Sequence, residues 1–209
     1  MEKRFIPENI LAYCDLNSSA LGALPESILA QADAVDRGYM MVGTHVGRLL
    51  QCLVLSRQPK RTLEIGTFHG FSAAAIAEVL PSECKLICCE RNSELAAISA
   101  KNLEGKNITL IECDGIEYLK QNPAQFDFIF IDADKGCFWR EIDLLYERLG
   151  QRGILVVDNA LAGLAVLDDN PEKDWERQTK AFNSSLCSDP RFFVLLMPIR
   201  DGVTIAVKR

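Results

Sequence analysis

The spacing of apolar residues along this chain changes near residue 60, and the change divides it into two regions. Before that point they recur at three-four intervals. Val46, Leu49, Leu50, Leu53 and Val54 therefore share one helix face. The pattern predicts helices over 7–13, 25–37 and 43–56. Beyond residue 60 short apolar runs alternate with helical stretches. Strands are predicted over 62–65, 85–89, 108–111, 126–131 and 153–157, and helices over 72–80, 93–103, 115–120 and 138–149. The segment 160–171 reads as irregular, 172–186 as a helix, and 192–197 and 203–207 as strands around an Asp201-Gly202 turn.

Strands alternating with helices imply a parallel sheet covered on both faces, and runs such as Phe128-Ile129-Phe130-Ile131 suit a strand buried on both sides. The expected fold is α/β: a Rossmann-like, doubly wound, mostly parallel seven-stranded sheet, with one antiparallel strand from the C-terminal hairpin. A single domain over 1–209 is expected, with a helical extension over 1–57 and the α/β core over 58–209.

Composition narrows the function. A net charge of −6 with scattered basic residues disfavours a nucleic-acid backbone as the main partner. The eight cysteines contain no Cys-x-x-Cys pair and several lie in apolar runs, so free thiols are expected and a zinc knuckle is not. The N-terminus lacks a signal-like apolar stretch and no apolar run approaches the roughly 20 residues of a membrane span, so the expected location is the cytoplasm.

In open α/β sheets ligands bind beyond the carboxyl ends of the strands, so the residues there carry the chemistry. The first strand runs into Glu64-Ile65-Gly66-Thr67-Phe68-His69-Gly70-Phe71-Ser72, where glycines permit a tight turn and close approach of a ligand. The loop is Gly-x-x-x-Gly, not the full dinucleotide fingerprint. The second strand ends at Glu90, an acidic residue suited to ribose hydroxyls. Loop and acid together point to a nucleoside cofactor without separating a methyl donor from a nicotinamide. The fourth strand ends in Asp132-Ala133-Asp134-Lys135 and the fifth in Asp158-Asn159. If those strands are neighbours, Asp132, Asp158 and Asn159 offer three oxygen donors to a hard cation such as Mg²⁺. Read singly, Asp158-Asn159 is equally a turn and Asp132 to Lys135 a helix cap with a surface ion pair.

These motifs resemble the cation-dependent O-methyltransferases, the family of catechol and caffeoyl-CoA O-methyltransferases and many small bacterial relatives. The likeness runs from about Met40 to the C-terminus. It rests on Leu-Glu-Ile-Gly-Thr-Phe-His-Gly-Phe-Ser, Phe-Ile-Asp-Ala-Asp-Lys, Val-Asp-Asn and the closing Pro-Ile-Arg-Asp-Gly-Val-Thr. The resemblance implies S-adenosylmethionine as cofactor, with Glu64, Gly66, Thr67 and Ser72 around its methionine part and Glu90 on its ribose. Asp114 and Gly115 would lie near its adenine, Met40 and Val42 would line it from the N-terminal side, and Asp132 would serve both cofactor and metal. Asp132, Asp158 and Asn159 would hold the divalent cation and Lys135 would act as general base, with Asp132 sharing the catalytic role. Cys113 and His69 depart from the usual small residues at their positions. The implied reaction is methylation of a hydroxyl on a small, catechol-like or vicinal-diol aromatic acceptor by a homodimeric enzyme. Three other functions fit parts of the pattern: methylation of a hydroxylated nucleoside in tRNA, a nicotinamide-dependent oxidoreductase, and a cofactor binder without catalysis.

Overall fold

The computed structural model describes residues 6–133, 138 and 140–209. Its sheet has seven strands: β1 (Arg61–Ile65), β2 (Lys85–Glu90), β3 (Ile108–Glu112), β4 (Phe126–Ile131), β5 (Leu149–Val157), β6 (Phe192–Met197) and β7 (Val203–Lys208). Their order is β3-β2-β1-β4-β5-β7-β6. The pairs among β1 to β5 are parallel, whereas β7 runs antiparallel to both β5 and β6. The terminal hairpin thus supplies the single antiparallel strand, as the sequence pattern predicts. The chain winds outward from β1 to β3, then returns to place β4 on the other side of β1. That reversal opens a crevice beyond the carboxyl ends of β1 and β4.

Eight helices are described: α1 (Glu8–Leu16), α2 (Ala23–Leu29), α3 (Gly43–Arg57), α4 (Phe71–Val79), α5 (Ser93–Asn102), α6 (Gly115–Gln121), α7 (Ile142–Arg148) and α8 (Asp174–Ser188). Strand alternation splits the core in two. Phe128, Phe130 and Cys88 face Val46, Leu50 and Ala73 to Ile76 of α3 and α4. Leu63, Ile65, Ile129 and Ile131 face Leu119, Leu145, Phe182 and Leu186 of α6, α7 and α8. Gln51 fastens the first layer by donating to the carbonyls of Leu21 and Ala75 at 2.7 and 3.1 Å. No helix among the described residues is long and apolar enough to cross a membrane.

Three predicted boundaries change. The helix expected over 25–37 ends at Leu29 and gives way to short 3-10 turns at Ala32–Ala34 and Gly38–Met40. Between them Val35 is extended and Arg37 left-handed, conformations that no helix continues. The helix expected over 138–149 begins at Ile142 as α7. It ends at Arg148, because β5 already starts at Leu149 and meets β4 through a register shift. Lys208 satisfies carbonyls at this junction, its ammonium donating to those of Tyr146 and Leu149 at 2.8 and 2.7 Å.

Candidate active site

The turn after β1 is shaped by contacts that admit only glycine at its first bend. Gly66 has φ +92°, and a Cβ there would lie 2.4 Å from the carbonyl oxygen of Asp132. The Asp132 amide in turn donates to the Ile65 carbonyl at 2.9 Å. The ends of β1 and β4 are therefore in backbone contact. Gly70, at φ +88°, caps the start of α4, and its amide donates to the Thr67 carbonyl at 2.8 Å.

Residues from four stretches of sequence line one cleft at this edge: Met40, Met41 and Val42; Thr67, Phe68 and His69; Phe71 and Ser72; and Asp132. Five of them, Met40, Val42, Thr67, Ser72 and Asp132, are sequence-predicted site residues. Met41, Phe68, His69 and Phe71 are additions; the last three stand inside the glycine-turn motif, and Met41 stands between Met40 and Val42. Burial pushes the His69 pKa below its ordinary value, so the imidazole is neutral at pH 7.

Glu64 stands behind the cleft in β1, fully buried between Cys88 of β2 and Phe130 of β4. Among the described residues no hydrogen bond of regular geometry reaches either carboxylate oxygen. Burial raises its pKa to about 7, opposed in part by Ser72, Cys88 and Thr67 nearby. Glu90, at the end of β2, is also buried, and its carboxylate accepts from the amides of Phe68 (2.9 Å) and Asn92 (3.0 Å). That carboxylate is thus held against the glycine turn. Asp114 caps α6, its Oδ1 accepting from the amides of Ile116 (2.9 Å) and Glu117 (3.2 Å). Next to it, Gly115 packs so closely on β1 that a Cβ would lie 2.2 Å from Ile65 Cγ2.

The oxygen-rich pair sits one strand over. Ile131 pairs with Val157, and the Asp158 amide donates to the Ile131 carbonyl at 3.0 Å, so Asp132 and Asp158 follow side by side on strands about 4.8 Å apart. Asp158 is buried, and Asn159 takes φ 55°, with its amide nitrogen 3.4 Å from Asp158 Oδ2. Neither Asp158 nor Asn159 is among the residues lining the cleft; they adjoin it through Asp132. No group of three His, Cys, Asp or Glu residues poised for a metal occurs among the described residues. A cation there needs the Asn159 carbonyl as its third protein oxygen. Two carboxylates and an amide are the hard donors that Mg²⁺ takes, so the donor set fits such an ion. Lys135 lies outside the described residues.

Two further side chains outside the cleft have structural surroundings. His45 lies 3.8 Å from Asp15 Oδ1, and Trp175 is partly exposed beside Lys173. The seven described cysteines are free thiols.

Fold and cleft together define a class of protein: a doubly wound α/β protein with a cleft at its switch point, where folds of this kind bind ligands. The family model for O-methyltransferases matches residues 18–209. Tricin synthase 2 of Oryza sativa subsp. japonica is 29% identical over 80% of this chain, and the chain spans 63% of that relative's length. A probable caffeoyl-CoA O-methyltransferase of Arabidopsis thaliana is 30% identical, covering 79% of this chain and 78% of its own. The SAH-bound methyltransferase PaMTH1 of Podospora anserina superposes with a TM-score of 0.85 at 28% identity, over 97% of this chain and 94% of its own. The chain belongs to the O-methyltransferase family and is an S-adenosylmethionine-dependent methyltransferase. The nicotinamide oxidoreductase and the non-catalytic binder are thereby set aside.

Proposed function

We propose that this enzyme methylates one hydroxyl of a small, catechol-like aromatic acceptor, with a divalent cation held at the tips of β4 and β5. One observation carries the reading: predicted cofactor residues from separate stretches line a single cleft, and Asp132 belongs both to that cleft and to the oxygen-rich pair of strand ends. The relatives support it, since one is a probable caffeoyl-CoA O-methyltransferase and another is an SAH-bound methyltransferase. The acidic net charge favours a small acceptor over tRNA.

When bound, the cofactor supplies an electrophilic methyl and the cation supplies Lewis acidity that eases loss of a hydroxyl proton. The chain's own work is placement and proton handling. In this reading the buried Glu64 carboxylate pairs with the cofactor's amino group, with Ser72 and Thr67 beside it. Glu90 accepts from the ribose hydroxyls, its carboxylate already oriented by two backbone amides. Asp114 and Gly115 face the adenine side, and Met40 and Val42 close the cleft from the opposite wall. Asp132, Asp158 and Asn159 are the cation's ligands. Lys135, three residues beyond Asp132, takes the hydroxyl proton; its role stands on the sequence resemblance. A homodimer in a reducing cytoplasm completes the proposal. Exposed Ile10, Tyr13 and Leu16 on α1, and Phe193 and Leu195 on β6, leave apolar surface for association, and light scattering tests it.

The experiment is a methylation screen of catechols, flavonoids, hydroxycinnamoyl thioesters and unmodified tRNA, each with and without EDTA. Turnover of a vicinal diol is expected, abolished by EDTA and by Asp158→Ala. Lys135→Ala is expected to lower kcat by about 10²–10⁴ while SAH still binds. Undiminished turnover in excess chelator would remove the cation from the proposal, and tRNA as the sole acceptor would replace the substrate class.

A further inference from the structure

The turn between β6 and β7 is fixed from one side by backbone bonds. The Leu161 amide donates to the Asp201 carbonyl at 2.7 Å and the Ala160 amide to the Gly202 carbonyl at 2.9 Å. Asp201 Oδ1 accepts from the Gly163 amide at 2.7 Å, and Asn183 of α8 donates to the Ala160 carbonyl at 2.7 Å. These contacts tie the turn to the chain that directly follows Asp158 and Asn159. Arg200 sits on this base in a left-handed conformation, φ 51°, and its side chain reaches the other way. Its Nη1 donates to the Met41 carbonyl at 2.6 Å and its Nη2 lies 3.4 Å from the Tyr39 carbonyl. Its stem passes the bare face of Gly43, 3.8 Å from where a Cβ would stand.

Of the residues it grips, Met41 belongs to the N-terminal wall of the cleft and Tyr39 directly precedes that wall. The wall begins in a 3-10 turn entered through left-handed Arg37, where Tyr39 is 78% and Met40 50% exposed, and continues into Met41 and Val42, which are buried in the core. The exposed, irregular half of this wall, before the buried Met41 and Val42, is the part easiest to open. A guanidinium answers the need because its planar fork can serve two carbonyls two residues apart, whereas an ammonium is a single point donor.

We infer that Arg200 is a positioning residue for methyl transfer: it holds the Tyr39–Val42 wall against the cofactor from a base anchored to the chain that follows Asp158 and Asn159. The inference rests on the cofactor reading above. Arg200 touches neither reactant in it; Met40, Met41 and Val42 do.

Isothermal titration of SAH into the full chain tests it, together with initial rates on the acceptor found in the screen. Arg200→Ala is expected to weaken SAH about tenfold, raising KM for S-adenosylmethionine more than it lowers kcat. Guanidinium ion at tens of millimolar should restore part of that affinity, a rescue that a misfolded protein would not give. Arg200→Lys should fall between, at about threefold weaker binding, and is read in the same way if the alanine variant does not fold. Binding by these variants within about twofold of wild type, or a folded Arg200→Ala protein indifferent to guanidinium, overturns the inference alone. Absence of SAH binding by the wild-type chain overturns the cofactor reading, and this inference with it.

Discussion

Glu64 concentrates the conflict between folding and function in one side chain. Its pKa is raised from 4.5 to about 7 by burial, so in the cofactor-free protein the neutral acid is the favoured form below neutrality. Between those values the folded chain holds a proton that the unfolded chain has released. The resulting stability is full below about pH 4.5 and is lost as pH rises through about 7, a loss of about 3 kcal/mol. The proposed pairing with a cofactor ammonium demands the opposite, an ionised carboxylate. SAH affinity should therefore fall about tenfold per pH unit below about pH 7, and Glu64→Gln should bind weakly with no such slope. The same variant should melt higher than wild type near pH 8 and no higher near pH 5. Calorimetry and melting curves over that range check both halves; a flat wild-type binding profile would sink the assignment. At this scale Gly66, Asp132 and Asp158 are legible in the sequence because each directly follows a strand, and Glu64 because it stands two residues before the glycine turn. Arg200 was visible only as part of a motif, since its partners, the Tyr39 and Met41 carbonyls, stand far away in the chain.

Element boundaries follow local chemistry where the local chemistry is strong. Asn92 and Asp114 cap α5 and α6 through their side-chain oxygens, and both helices start where the pattern predicts. Asp114→Ala should cost about 1 kcal/mol through loss of the cap, read as a lower urea midpoint with an unchanged slope. A wild-type midpoint would mean that the Asp114 cap contributes nothing measurable. The stretch after α2 shows the reverse case. Ala30 to Arg37 has fair helical composition, but the chain must turn there to bring Met40 to Val42 to the cleft. A Cβ on Gly38 would meet the Ala32 carbonyl oxygen at 1.8 Å, so the two 3-10 turns pack backbone to backbone. That packing overrides local propensity, which separates states by only about 0.7 kcal/mol per ordinary residue.

At the scale of the molecule, α1 is held by different forces from the rest of the fold. The helices α3 and α4 share the apolar core with β4, whereas α1 contributes no buried residue. Polar contacts hold it: Asp15 Oδ1 accepts from Arg48 at 2.5 Å and from Thr44 at 3.2 Å, and Arg48 also donates to the Ser19 carbonyl at 2.7 Å. Partly exposed pairs of this kind contribute about 1 kcal/mol or less. Asp15→Ala should therefore expose α1 to protease while leaving SAH affinity within about twofold of wild type. A matching loss of affinity would show that α1 takes part in the cofactor seat.

From the sequence alone came the alternation of strands and helices, the antiparallel hairpin, the glycine turn and the acidic strand ends. All of these are written in residues a few positions apart, through periodicity, turn chemistry and missing Cβ atoms. The meeting of Met40 with Thr67 and Asp132, the neighbouring of Asp132 and Asp158, and the reach of Arg200 to Met41 had to wait for tertiary structure. They depend on strand order and on the path of irregular segments, which long-range packing decides and no local spacing encodes.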